Sequence, residues 1–207
     1  MSVRFRRSHV FGCAVAPVAL LFLLAGCGAG RTPVPTAAAV RGDDTCVVCG
    51  MYLGDTPGPR GQAWIEGRSR PLIFDSVRDF FAWALQPDHQ VGVQALFVQD
   101  TARIDWQHPA SEGTTFIDAR QAFYVGWQPL PGSMGPTFAP FSTRAAAETF
   151  AREHGGAVLA YAEVTPTLVA NLQGACPGNR IEAGGHAIAC HPSANPVDDI
   201  PPPPYAR

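Results

Sequence analysis

The sequence predicts an α+β fold built from two ββαβ halves, with a flexible N-terminal tether and a Pro-rich C-terminal tail. Three observations carry this expectation. Strand-like and helix-like apolar periods follow one another in the same order twice. The strand-to-helix junctions of the two copies rhyme, Phe74-Asp75-Ser76-Val77-Arg78 against Phe141-Ser142-Thr143-Arg144. At both ends the periodicity gives way to Gly, Pro, Ala and Thr.

In the first half, "QAWIEG" (62–67) and "RPLIF" (70–74) read as a short hairpin. A helix is expected over 75–85, where Val77, Phe80, Phe81, Ala84 and Leu85 share one face and Ser76 with Asp79 forms an N-terminal capping pair. "VGVQALFVQD" (91–100) returns as a strand. In the second half, "AFYVGW" (122–127) and "TFAPF" (137–141) are the strands, 142–156 the helix, and "AVLAYAEV" (157–164) the returning strand. Gly155 falls where a left-handed C-cap would end the helix.

The ends speak to location. Arg4, Arg6 and Arg7 precede an apolar run from Ala14 to Leu24, and Leu24-Ala25-Gly26-Cys27 closes it with small residues ahead of a cysteine. That order resembles a bacterial lipoprotein signal, rather than an ordinary cleaved signal peptide or a membrane anchor. The expected organisation is a signal peptide (1–26), a lipidated tether (27–42) starting at Cys27, a folded domain (43–173) and a partly disordered extension (174–207) containing Pro201–Pro204. The protein is then membrane-anchored through lipid and extracytoplasmic, on the periplasmic side. With 46% hydrophobic residues, a net charge of −2 and no lysine, the chain has enough apolar content for a core and no basic patch for nucleic acid.

Chemistry concentrates in "TCVVCGMYLGD" (45–55). Cys46 and Cys49 are three positions apart, Met51 follows after one glycine, and Gly50 permits a backbone turn that lets the Cys49 and Met51 sulfurs converge. Thiolate with thioether favours Cu(I) over Zn(II), whose sites use thiolate, imidazole and carboxylate. Two other readings stay open for the pair: a plain disulfide, and a thiol-disulfide oxidoreductase. Against the latter, the pair follows a polar tether and leads into "GDTPGPRG" instead of opening a helix after a buried strand.

"CVVCGM" (46–51), "PGPRGQ" (57–62), "FDSVRDFF" (74–81), "GSMGPTFAPF" (132–141) and "HGGAVLAY" (154–161) in this order resemble the NosL family, copper-binding accessory lipoproteins of nitrous oxide reductase. The resemblance spans roughly residues 43–165 together with the lipoprotein signal. It implies a fold of two ββαβ halves similar to the organomercurial-lyase core. It also implies a Cu(I) metallochaperone, not an enzyme, that serves maturation of the reductase's copper centres through an ABC-type membrane complex. Carried over position by position, Cys49 and Met51 are the expected ligands, with Cys46 beside them.

Met134, in "PGSMGPTF", is a further ligand candidate, although a lone methionine commonly fills a core gap. His154 is expected to interact with its helix end, and His89 and His108 to be solvated. Cys176 and Cys190 enclose thirteen residues. A disulfide closing such a loop stabilises by about 3 kcal/mol; the rival is a second metal site that adds His186 or His191. The family's fold likeness raises carbon–mercury bond cleavage as an enzymatic alternative, but fold is not function, and no Ser/His/Asp order, phosphate loop or convincing carboxylate pair is legible.

Overall fold

Strand β1 (Gly61–Ile65) is the centre of the first half, with β2 (Leu72–Phe74) antiparallel on one side and β3 (Val93–Gln99) antiparallel on the other. The computed structural model describes residues 34–54, 56–178 and 188–192. The signal segment, Cys27, His186 and the Pro201–Pro204 run lie outside these residues. Helix α1 (Val77–Ala84) links β2 to β3 and buries Val77, Phe80, Phe81 and Ala84, the face expected from the periodicity. Ser76 caps it, its hydroxyl accepting from the Asp79 backbone N–H at 3.1 Å. The helix lies so close to the sheet that a Cβ at Gly61 would stand 2.7 Å from Cβ of Phe80.

The second half repeats the plan. Strand β5 (Phe123–Gly126) is central, β8 (Ala139–Phe141) and β9 (Gly156–Ala160) flank it, and helix α2 (Arg144–His154) joins the flanking pair. A small hairpin, β6 (Pro131–Gly132) with β7 (Gly135–Pro136), interrupts the path from β5 to β8. Each sheet gains a fourth strand that the sequence reading did not assign. β4 (Phe116–Asp118) adds to β3, and β10 (Cys190–His191) adds to β9. The sheet orders β2-β1-β3-β4 and β8-β5-β9-β10 are therefore the same in both copies.

Alternation along β5 places α1 between the two sheets. Tyr124 and Leu159 join the cluster around α1, while Val125 and Val158 face α2 together with Ala147 and Ala151. The Phe81 ring lies 4.8 Å from Tyr124 and 5.3 Å from Phe138, edge to face in both cases. A third short helix, α3 (Pro166–Ala170), capped by Thr165, adds Leu168 and Val169 to the same core.

Three expectations need correction. Gly155 has a positive φ of 83° but an extended ψ of −177°, so it is no left-handed cap; β9 begins at the next residue and draws the chain straight. The last strand stops at Ala160, where Glu163 turns back to accept from the Ala160 N–H at 2.6 Å. The described part of the tether is packed against the domain. Gln62 exchanges two hydrogen bonds with the Ala38 backbone, at 2.9 and 2.6 Å, and Val40 is buried beside Ile73 and Phe116. The inward face of residues 37–40 is short and lacks a period, which is why composition alone reads as linker.

Because Phe81 joins the two halves, Phe81→Ala is expected to cost about 3–5 kcal/mol, measured from the urea midpoint. A loss below about 1 kcal/mol would show that the halves do not share this core.

Candidate metal centre

The loop that carries the cysteines is tied at its base and along its rim. Thr45 bridges to Tyr52, the Cys46 N–H donates to the Met51 carbonyl at 2.9 Å, and the Gly50 N–H donates to the Cys46 carbonyl at 2.8 Å. Gly50 adopts φ 74°, the turn its lack of a side chain permits. The Val47 N–H donates to the Ile73 carbonyl at 3.0 Å, which docks the loop on the outer edge of β2. At the base, Arg70 donates to both carboxylate oxygens of Asp44, at 3.0 and 2.9 Å.

This docking brings the two thiols over the first turn of α1. The Cys49 thiol lies 3.2 Å from Asp75 Oδ2 and the Cys46 thiol 3.7 Å from Asp79 Oδ2. One ligand atom from each of Cys46, Cys49, Asp75 and Asp79 falls within 4.8 Å of the others. Among the described residues no other group of three or more such side chains gathers in this way. The two cysteines are not bonded to each other. Asp75 is fully buried, and its second oxygen, Oδ1, has no hydrogen-bond partner. An orphaned carboxylate oxygen of that kind is a costly arrangement unless it serves something.

Electrostatics follows first from burial and then from the closeness of these groups to one another. Burial pushes the Cys49 thiol up to about 12; the Met51 backbone N–H opposes this, and hydrogen bonds to Asp75 and Cys46 reinforce it. Burial also raises Cys46, against several backbone N–H groups that favour its thiolate. Asp79 is raised by burial and then by the charge of Asp75, with Arg78 pulling the other way. Both thiols are thus held as thiols in the metal-free protein, and the cluster as a whole favours an incoming cation.

Of the expected residues, Cys46 and Cys49 meet. Met51 belongs to the same loop, with its side chain 41% exposed. Met134 sits on the β6–β7 turn, 51% exposed, and its carbonyl accepts from Arg78 Nη1 at 3.5 Å, one residue from Asp79. Both thioethers therefore stand at the surface near the start of α1. The His154 ring lies tilted against Phe150 with centroids 4.3 Å apart, and His89 stacks on Trp83 and hydrogen-bonds its carbonyl. Cys176 and Cys190 are joined as a disulfide with Cα atoms 6.2 Å apart. A second metal site using their thiolates is thereby excluded in this state. Asp75 and Asp79 were missed as site residues. Their signal was an i, i+4 acid pair bracketing an N-cap serine at the head of a wholly apolar helix face.

Fold and cluster together define a class: an α+β domain of duplicated ββαβ halves with a thiol–carboxylate cluster at one helix start. The NosL family profile matches residues 37–169, and the chain belongs to the NosL family. It is 36% identical over 154 residues to the copper-binding lipoprotein NosL of Stutzerimonas stutzeri, covering 73% of this chain and 79% of that protein. Its identity to the copper-binding lipoprotein NosL of Achromobacter cycloclastes is 38% over 124 residues, 58% of this chain and 63% of that one. The crystal structure of the copper chaperone NosL from Shewanella denitrificans superposes with a TM-score of 0.61 at 31% identity, over 66% of this chain and 99% of that chain. The Cys176–Cys190 disulfide lies beyond the stretch that the family profile matches.

Asp75→Asn removes the charge and the acceptor that hold the Cys49 proton, so the thiol should fall toward its ordinary value. Each unit of fall raises the thiolate share at pH 8 about tenfold. Iodoacetamide should alkylate Cys49 faster in that variant, followed by mass spectrometry; an equal or slower rate would show that Asp75 does not govern the thiol.

Proposed function

We propose that this chain is a Cu(I) carrier, tethered to a membrane by lipid on Cys27, in which Cys49 and Met51 take the ion with Cys46 as their partner. The observation that supports it best is the pair of reduced thiols at the foot of a surface loop whose next side chain is an exposed thioether. Thiolate and thioether are the donors that Cu(I) prefers. Two or three such ligands at the surface leave the coordination shell open, and an incoming donor can displace them one at a time. Copper is cargo in this reading. Asp75 and Asp79 are hard oxygen donors, poorly matched to Cu(I), and their part is to hold the thiols in place.

The family resemblance extends the reading to partners. The cargo is destined for the copper centres of nitrous oxide reductase, handed over through an ABC-type membrane complex. Relatives named as lipoproteins support anchoring. Among the described residues no helix is long and apolar enough to cross a membrane. The oxidoreductase alternative fares worse on chemistry, because an attacking cysteine needs a lowered pKa and Cys49 is pushed the other way.

Anaerobic, fully reduced protein should bind one Cu(I), and Cys49→Ser and Met51→Ala should each lose or greatly weaken it, read by competition against a chromogenic chelator. Full stoichiometry in both variants would overturn the ligand assignment. Each thiol that ligates gives up a proton, so below the thiol pKa the affinity rises about tenfold per pH unit per ligating thiol. A slope of about two across pH 6–8 marks Cys46 and Cys49 as joint ligands, and a slope of about one marks Cys49 alone. Replacing Cys27 by Ala should abolish labelling by a radioactive fatty acid; unchanged labelling would remove the anchor.

A further inference from the structure

Among the described residues seven large apolar side chains stand exposed, and four of them, Val47, Val48, Met51 and Tyr52, fall within six positions of the metal loop. A fifth, Met134, lies on the hairpin that meets the same helix start through Arg78. From Thr45 to Gly54 the chain carries no charged residue. Charges gather at the border instead: Arg41 and Asp43 are exposed, and Asp44 is paired with Arg70. An apolar patch with a polar border is the anatomy of a protein contact surface, where tyrosine and methionine are enriched.

The backbone holds this patch outward. Cys46 and Leu53 turn in and are buried, one at each end of the exposed run. The Leu53 N–H donates to the Asp44 carbonyl at 3.1 Å, and Arg60 Nη2 donates to the Leu53 and Gly54 carbonyls at 2.8 and 3.0 Å. With these ties and the bond from Val47 to Ile73, the side chains between them stay out of the core. A surface ordered before contact loses less conformational freedom on binding than a loose loop does.

We propose, resting on the Cu(I)-carrier reading, that Val47, Val48 and Tyr52 form the docking face for a protein acceptor whose own soft donors sit within an apolar surface. Transfer by ligand displacement requires a donor of the acceptor to come within bonding distance of an ion held by Cys49 and Met51. A protein that does so covers the flanking side chains, two ahead of the ligands and one after them. In the exchange each new bond to copper replaces one to Met51 or Cys49, no electron moves, and the freed Cys49 thiolate regains its proton from water. Lipid brings no soft donor. A second copy brings only the donors that the ion already has, and so gives it no direction of travel. The exposed set is small, which suits a weak and transient encounter from which both partners part after each ion.

The test uses the full chain in cells that lack their own copy. Val48→Ser with Tyr52→Ser removes apolar surface without touching a metal donor, and Val48→Leu with Tyr52→Phe keeps it. Both purified double variants should bind one Cu(I) with wild-type affinity in chelator competition. When copper is added to copper-starved cells, the serine variant should load nitrous oxide reductase at least about tenfold more slowly, and the Leu/Phe variant at the wild-type rate. Benzoylphenylalanine placed at position 52 should, on illumination, form an adduct with a different protein, and Val48→Ser should weaken it. Wild-type loading by the serine variant would overturn the docking face and leave the carrier standing, whereas a wild-type chain that takes up no Cu(I) would remove the carrier and the face together. Slow loading by the Leu/Phe variant, a Cu(I) affinity that falls with the serine changes, or an adduct with lipid or with a second copy would each overturn the face as well.

Discussion

The approach of α1 to β1 across Gly61 is the constraint on which the rest of the molecule depends. With Phe80 seated where a side chain at 61 would otherwise be, the helix axis lies low on the first sheet and its far side is free to receive the second. Phe81 fills that side against Tyr124 and Phe138. The same seating fixes where the helix starts, and therefore where Asp75, Ser76 and Asp79 stand. The site is a consequence of how the core is packed.

At that start, folding and chemistry pull in opposite directions. A serine cap and an acid in the first turn both favour a helix N-terminus. Burying a second carboxylate beside them, with one oxygen unpartnered and two thiols overhead, does not. The loop is pinned by Val47 on β2 and by Arg70 on Asp44, and these contacts hold the two thiols over the carboxylates. Local rules give way at this helix start, as expected where a structure does work.

Much of the frame was legible because period and packing agree. The α1 face reads directly from Val77, Phe80, Phe81 and Ala84, and the repeated junctions reveal the duplication. Strands β4 and β10 were not legible, since three residues and two residues hold no period and exist only because β3 and β9 offer an edge. The docking of residues 37–40 escaped for the same reason: its bonds run to Gln62 and Ser111, far away in sequence. Of the cluster, the sulfurs were visible as a motif, whereas Asp75 and Asp79 looked like helix punctuation. Only the fold brings residues about thirty positions apart into one group.

The chain holds four described cysteines in opposite oxidation states, with Cys46 and Cys49 free and Cys176 joined to Cys190. A compartment that oxidises one pair will tend to oxidise the other, unless chemistry separates them. Disulfide formation proceeds through thiolate, and burial, reinforced by Asp75, keeps thiolate scarce at Cys46 and Cys49. The seat under the loop thus acts as insulation, keeping Cys46 and Cys49 as thiols in a chain whose distant staple is closed.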